Sequence, residues 1–245
     1  MSVMTQRRRL QHCQSAGSGV PAKPGSLLLA VGLGAALLRA LALQPRLHVL
    51  LQEWSGAAAA TRSQLTPAER LAAARALAGY LGGAPAELPA LWQREGAPPG
   101  GASPRAQAHL RDVRAIFQWL RRLSLAGLIA LVVTLFQPAP QRARALRSAG
   151  TSSLVAAGLL GLAALIDFRR LFRGYHRLFF RDENWRLDPA QDYLALLYPE
   201  PLYRLGALIW SAVWAAVGGL LLLVARRHAE QAADYSRIQR SISRE

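Results

Sequence analysis

Four apolar segments divide the chain. The first, residues 26–44, and the last, residues 205–225, are close to the roughly 20 residues that a helix needs to cross a bilayer. The second (123–136) and third (152–166) are shorter, but their helical pattern continues into HLRDVRAIFQWLRR and DFRRLFRGYH. We therefore expect an all-α integral membrane protein with four transmembrane helices, two of which extend beyond the membrane.

Three groups of cationic residues flank the membrane segments and predict the orientation. They precede the first span, fill the connection between the second and third, and follow the fourth: Arg7, Arg8, Arg9 and Lys23; Arg142, Arg144 and Arg147; Arg226, Arg227, Arg237, Arg240 and Arg244. Short cytoplasmic segments are enriched in this way, so both termini are expected in the cytoplasm. A cleaved secretory signal is the alternative for the first segment. It is less favoured because the apolar run exceeds a typical signal core, and its removal would leave an odd number of spans.

This orientation gives an expected order of segments. They are a cytoplasmic basic tail (1–25), a first span (26–44), an extracytoplasmic helical cap (45–108), a helix entering the second span (109–137), a cytoplasmic loop (138–150), a third span (151–171), an extracytoplasmic motif loop (172–204), a fourth span (205–225) and a cytoplasmic tail (226–245).

Helix signals within the cap segment predict its structure. Thr66 and Glu69 have the spacing of a capping box around Pro67, and Gly82 and Gly83 end that helix. A second start at Ser103 and Pro104 leads into the helix of the second span. That helix carries one apolar stripe, Leu110, Val113, Phe117 and Leu120, with His109 and Asp112 on the adjoining face.

Charge and cysteine content exclude several classes of protein. The net charge is +16, but the arginines are spread along the chain instead of forming a basic domain interleaved with aromatics, so we expect no nucleic-acid partner. An anionic lipid surface is the simpler partner for this charge. Cys13 is the only cysteine, so an intramolecular disulfide and a cysteine metal cluster are both excluded.

Two sequence blocks carry a family resemblance. AHLRDVRAIF and YHRLFFRDENWRLDPAQDYLALLYPEPLY, in this order and one span pair apart, resemble the bacterial four-span lipoprotein intramolecular transacylases. The resemblance implies transfer of the sn-2 acyl chain of a diacylglyceryl-cysteine lipoprotein to its own N-terminal α-amine, which gives the lyso form. It also implies membrane-anchored diacylated lipoproteins as substrates in the bacterial cytoplasmic membrane. We expect no cofactor or metal, and the predicted topology puts His109 and His176 on the outer face of the membrane, so that the site is toward the outer leaflet. The oligomeric state is left open.

The resemblance also assigns residues. His109 and His176 match the two histidines of the family that are thought to be catalytic. Two positions depart from its pattern, because Ala106 stands where the family usually has Glu, and Tyr175 stands where it usually has Phe.

Imidazole chemistry fits this reaction. An N-terminal amine has a pKa of about 7.7 to 8, so a base with a pKa of about 6.5 can remove its proton. We expect His109 to act as the base, with Asp112 or another carboxylate setting its tautomer, and His176 to stabilise the oxyanion or protonate the leaving oxygen. The two roles are exchangeable.

Further residues of the motif loop are candidates for the substrate pocket. Phe179, Phe180 and Trp185 are expected as its walls. Asn184, Asp188 and Asp192 are expected either to support the site or to hold loop geometry. The other histidines, His12, His48 and His228, are expected to be hydrogen-bonded interfacial residues.

Two other functions remain open. A metal-dependent membrane hydrolase would use His109, His176 and nearby carboxylates, but no HExxH or similar ligand spacing is present. A noncatalytic membrane scaffold or assembly protein would need neither histidine.

Overall fold

The computed structural model describes residues 24–61, 65–83, 103–189 and 192–242, and the regular structure in these ranges is helical. The helices are α1 (Pro24–Ala42), α2 (Pro45–Trp54), α3 (Ala57–Ala60), α4 (Pro67–Gly82), α5 (Pro104–Leu135), α6 (Ala139–Phe179), α7 (Tyr193–Leu197) and α8 (Glu200–Ile242), with a 3-10 turn at Glu183–Trp185. The N-terminal tail with His12 and Cys13, and parts of the expected cap segment, lie outside the described residues.

Four helices are long and apolar enough to cross a membrane: α1, α5, α6 and α8. This confirms the predicted four-span, all-α membrane protein. Their apolar parts, residues 26–44, 123–136, 152–166 and 205–225, are called the membrane segments below. The polar continuations of α5 and α6 lie beyond these segments, on the same helices.

The helices are longer than the expected segments. Residues 138–150, expected as a loop, are helical from Ala139, and the connection is only Phe136–Pro138. Alanine, leucine and arginine fill this stretch and all favour helix, while Pro138 immediately precedes the first turn. The expected motif loop likewise begins inside α6, which ends at Phe179.

Glycine contacts join the membrane helices in two pairs. A Cβ atom at Gly32 of α1 would lie 2.4 Å from the Cα atom of Gly127 on α5. A Cβ atom at Gly150 of α6 would lie 2.7 Å from the carbonyl oxygen of Gly218 on α8. Small residues let helix backbones approach closely in lipid, where no hydrophobic effect drives them together. The bundle therefore consists of an α1–α5 pair and an α6–α8 pair.

A small helical cap, formed by α2, α3, α4 and α7, packs on one end of the bundle. Its core also includes the first turns of α5 and α8, and its buried members are Leu51, Ala73, Leu77, Tyr80, Leu81, Ala106, Leu110, Phe117, Tyr193, Leu194, Leu197, Tyr198 and Leu202. The capping box is present, because the Thr66 side chain accepts from the N–H of Glu69 while the Glu69 carboxylate accepts from the N–H of Thr66. Ser103 caps α5 as predicted, accepting from the N–H of Ala106 at 3.1 Å.

Candidate active site

His109 and His176 come from different helix pairs and meet beside the cap. His109 lies in the second turn of α5, next to Leu110, which is buried in the cap core. His176 lies near the end of α6. The two ring centroids are 5.8 Å apart and the ring planes differ by 33°. The structure thus brings together the two histidines that the sequence singled out.

A break in α6 precedes His176. Asp167 has φ −151° and ψ 80°, which is not helical, and its Oδ1 accepts from the N–H of Arg170 at 2.9 Å. A carboxylate that accepts from a backbone N–H three residues later is the N-cap arrangement. Phe168–Phe179 is therefore a separately capped helical segment whose direction the break sets. His176 lies on this segment, outside the membrane segments.

Aromatic rings enclose His176, which is only 5% exposed. Its ring centroid lies 4.1 Å from that of Phe172, 4.8 Å from Trp185 and 5.1 Å from Phe180. The Phe180 ring is also 4.8 Å from His109, so it bridges the two imidazoles. The result is a histidine pair in a largely apolar aromatic environment.

A backbone hydrogen bond fixes the tautomer of His176. Its Nδ1 lies 2.8 Å from the carbonyl oxygen of Phe172, one helical turn earlier. A carbonyl only accepts, so Nδ1 carries the proton and donates it. In the neutral ring, Nε2 then holds the lone pair. Burial lowers the pKa of His176, while the bond to Phe172 opposes this shift, so the ring is neutral at pH 7.

His109 has no such anchor. Its Nδ1 is buried and has no hydrogen-bond partner among the residues that the structure describes. Burial, and then the charge of a protonated His176, lower the pKa of His109 to about 4. An uncharged imidazole at neutral pH carries one N–H donor and one lone pair. Because nothing fixes the tautomer, either nitrogen can present the donor.

The predicted supporting residues differ in their placement. The Phe180 ring contacts both histidines, and the Trp185 ring contacts His176. Phe179 does not: its side chain is 55% exposed and its ring contacts that of Tyr175, at 4.9 Å. Asp112 is exposed and is not bonded to Nδ1 of His109, so the tautomer role predicted for it is absent from this geometry.

The remaining motif residues lie between α6 and α7. Asn184 is half-buried in the 3-10 turn next to Trp185. Asp188 and Asp192 bond to each other, with the N–H of Asp192 2.7 Å from the carbonyl oxygen of Asp188. The N–H of Asp188 lies 3.4 Å from the Asp192 carboxylate. This pair shapes the turn that leads into α7.

Sequence reasoning missed Phe172 and Tyr203, whose rings lie 5.5 Å apart behind His176. Phe172 is four residues before His176, and this helical spacing is a signal that could have identified it. His48 is a hydrogen-bonded residue of the cap, as predicted: Nδ1 lies 3.1 Å from the Tyr198 hydroxyl and Nε2 lies 2.8 Å from the Ala42 carbonyl oxygen.

No group of three metal-binding side chains (His, Cys, Asp or Glu) is assembled within the described ranges.

Comparisons with known proteins agree on one family. A sequence profile of the lipoprotein intramolecular transacylase Lit matches residues 57–203. Among solved structures, that of the membrane integral lipoprotein intramolecular transacylase Lit from Bacillus cereus matches with a TM-score of 0.73 and 19% identity, over 85% of this chain and 94% of that one. A histidine-to-arginine variant of the same enzyme matches with a TM-score of 0.70 and 18% identity, over 94% and 99% of the two chains.

A histidine-to-alanine variant matches with a TM-score of 0.67 and 17% identity, over 95% and 99%. A search of curated proteins found no match. The structural matches establish a shared four-span membrane fold, and the profile covers more than half of the sequence and both histidine blocks. The chain is therefore a membrane enzyme of the lipoprotein intramolecular transacylase family.

Proposed function

We propose that this enzyme moves the sn-2 acyl chain of a diacylglyceryl-cysteine lipoprotein to the α-amine of the same cysteine. The observation that carries the proposal is the pair of neutral imidazoles, 5.8 Å apart, enclosed by aromatic rings in a chain of this family. The substrates are membrane-anchored diacylated lipoproteins. No water, cofactor or second substrate enters the balance of this reaction.

His176 acts as the base. Its Nδ1–H bond to the Phe172 carbonyl leaves the Nε2 lone pair free to take a proton from the substrate amine. The nitrogen of the neutral amine gives up this proton as it bonds to the ester carbonyl carbon, and the bond from that carbon to the glycerol oxygen then breaks. His176 returns the proton to the glycerol oxygen, so the amide forms and the base is regenerated. The roles proposed from the sequence are thus exchanged.

His109 stabilises the oxyanion. A ring whose pKa is about 4 stays neutral at pH 7, and its N–H donates to the carbonyl oxygen as negative charge develops there. A neutral imidazole suits this role because it gives a hydrogen bond without transferring its own proton. Because Nδ1 has no partner among the described residues, the tautomer of His109 is not fixed, and the N–H can be on the nitrogen that faces the substrate.

The aromatic enclosure directs the acyl chain to the amine. Phe172, Phe180 and Trp185 cover His176 and exclude water, which would otherwise hydrolyse the ester. Because the amine and the ester belong to one molecule, holding both ends together supplies much of the rate.

The site lies toward the outer leaflet in this proposal. The cap and both histidines lie at one end of the bundle, whereas the arginines beside the α5–α6 connection (Arg142, Arg144 and Arg147) and those after the fourth membrane segment (Arg226 and Arg227) lie at the other. Cys13, the only cysteine, tests the orientation. A membrane-impermeant maleimide should label it only after the cells are opened. In a Cys13→Ser background, Trp54→Cys in the cap, where the native side chain is 64% exposed, should be labelled in intact cells. The reverse pattern would refute this orientation.

Expression in a bacterium that makes diacylated lipoproteins tests the activity. Mass spectrometry of the lipoprotein N-termini should show one acyl chain moved to the amine, and His176→Gln should leave the termini diacylated. Unchanged termini, with the wild-type protein present in the membrane, would refute the transacylase. Loss of one acyl chain with a free amine would instead identify a hydrolase. If a variant that lacks both His109 and His176 kept its activity, this mechanism would be refuted.

A further inference from the structure

Two clefts open between α6 and α8, one at each end of the membrane segments. The cap-side cleft is lined by residues that include Asp167, Arg169, Glu200 and Arg204. The tail-side cleft is lined by Arg147, Thr151, Leu222 and Arg226. In each cleft, one arginine comes from α6 and one from α8.

The arginines lie one membrane thickness apart. Arg147 and Arg169 are 22 residues apart on α6, as are Arg204 and Arg226 on α8. At 1.5 Å per residue this separation is about 33 Å, close to the roughly 30 Å of the hydrocarbon core. Both clefts are therefore at the level of lipid headgroups, in opposite leaflets.

The two clefts differ in charge. In the cap-side cleft Arg169 pairs with Glu200 at 3.2 Å, and Asp167 balances Arg204, so the lining has no net charge. The tail-side cleft contains no carboxylate, and neither Arg147 nor Arg226 forms an ion pair with any residue in the described part of the chain. Two unpaired guanidinium groups facing one space attract an anion.

Helix packing creates the tail-side cleft. Gly150 and Gly218 bring the backbones of α6 and α8 together at one level. Beyond this contact, toward the start of α6 and the end of α8, the cleft between the helices has a volume of about 310 Å³. The larger side chains of Arg147 and Leu222 line it. Leu222 lies one turn toward the membrane from Arg226, so a charged group at the arginines has an apolar surface beside it.

We propose that the tail-side cleft binds the phosphate group of an anionic phospholipid, with an acyl chain against Leu222. Arginine suits this ligand because its fork of donors matches phosphate oxygens. Thr151 adds a hydroxyl that can donate to the headgroup. Basic pockets between transmembrane helices are the usual sites for anionic headgroups. The proposal does not depend on the transacylation mechanism.

Native mass spectrometry of the full-length protein tests the site with phosphatidylglycerol as the anionic probe and phosphatidylethanolamine as the zwitterionic one. Arg147→Gln with Arg226→Gln should weaken phosphatidylglycerol binding about tenfold or more. The matched control is Arg144→Gln with Arg227→Gln, which removes the same charge from exposed arginines outside the cleft lining. In about 0.15 M ammonium acetate, charges outside the cleft are screened over roughly 8 Å, and the control should lose less than about twofold.

A second variant separates shape from charge. Thr151→Trp fills the cleft from an exposed position without changing its charge, and it should reduce phosphatidylglycerol binding to a similar extent. Unchanged binding in this variant would overturn the site.

Three further outcomes would also overturn the proposal. Equal losses in the cleft and control pairs would mean that only general surface charge is involved. Equal binding of phosphatidylethanolamine would remove the requirement for an anion. Inorganic phosphate that displaces the lipid at equal concentration would make free phosphate, and not a lipid, the ligand.

Discussion

The two histidines lie on helices that are built differently. α5 runs without a break from Pro104 to Leu135, and His109 is positioned by the turns that pack into the cap. α6 is broken at Asp167, and His176 lies on the capped segment beyond the break. His176 is also fixed by its own helix backbone, whereas Nδ1 of His109 is not bonded. A base must present one nitrogen in one direction, whereas an oxyanion donor can adjust to the oxygen it meets.

Glutamine substitutions at the two histidines should give the largest effects and test whether the two residues have different roles. His176→Gln removes the proton acceptor and should lower the transacylation rate about 10³-fold, within the 10²–10⁴-fold range of general-base catalysis. His109→Gln keeps an N–H donor and should lower the rate only about 10-fold to 100-fold. The measurement is the initial rate of N-acylation, followed by mass spectrometry in detergent. The opposite order of losses would return the base role to His109.

Glycine substitutions should show that both helix pairs depend on backbone contact. Gly127→Val would place side-chain atoms against Gly32, and Gly150→Val would place them against Gly218. Each should destabilise the protein by about 1–3 kcal/mol, the usual cost of overpacking. Thermal unfolding in detergent measures the effect.

Gly158→Val is the control for the glycine pairs, because nothing lies within 4 Å of a Cβ atom at Gly158 on α6. It should unfold at nearly the wild-type temperature. A control as unstable as the two pair variants would mean that valine in a helix, and not the backbone contact, causes the loss.

The aspartates on α5 and α6 provide a finer comparison. Asp167→Ala removes the cap of the segment that carries His176 and should cost about 1 kcal/mol of stability, with a loss of activity of about 10-fold. Asp167→Asn keeps a capping oxygen and should retain most of both. Asp112→Ala, at an exposed position of α5, should change neither. If it reduced activity as much as Asp167→Ala, the orienting role first predicted for Asp112 would be restored.

The sequence predicted the spans and the helix starts well because their causes are local. A helix needs roughly 20 apolar residues to cross the bilayer, and this run can be read directly from the sequence. A capping box needs two residues only three positions apart, as at Thr66 and Glu69. The approach of His109 to His176 was predicted only as two histidines on one side, because the contact depends on how α6 turns at Asp167. The sequence DFRRLF has no proline or glycine at this point, so it indicates continuous helix.

The same dependence explains why Phe180 contacts the histidines and Phe179 does not. Phe179 is the last residue of α6 and points outward, while Phe180 has an extended backbone, with φ −116° and ψ 126°, and its ring turns back to the histidines. A shift of one residue in the helix end would reverse the two. Helix ends are the least predictable feature of a sequence, so the sequence could not show which of these two phenylalanines faces the histidines.

His109 also makes the stability of the protein depend on pH. In the unfolded chain its pKa is about 6.5, whereas burial lowers the pKa of His109 to about 4 in the fold. Below pH 6.5 the unfolded chain therefore binds a proton that the folded chain rejects, and stability falls until about pH 4. Because His48 and His176 shift in the same direction, the difference between wild type and His109→Phe isolates this contribution. Melting temperatures in detergent should fall less steeply for the variant between pH 6.5 and 4 and run parallel to wild type above pH 7. Parallel curves over the whole range would mean that His109 is hydrated and charged in the fold, and an ionised ring would then have to be considered as the oxyanion donor.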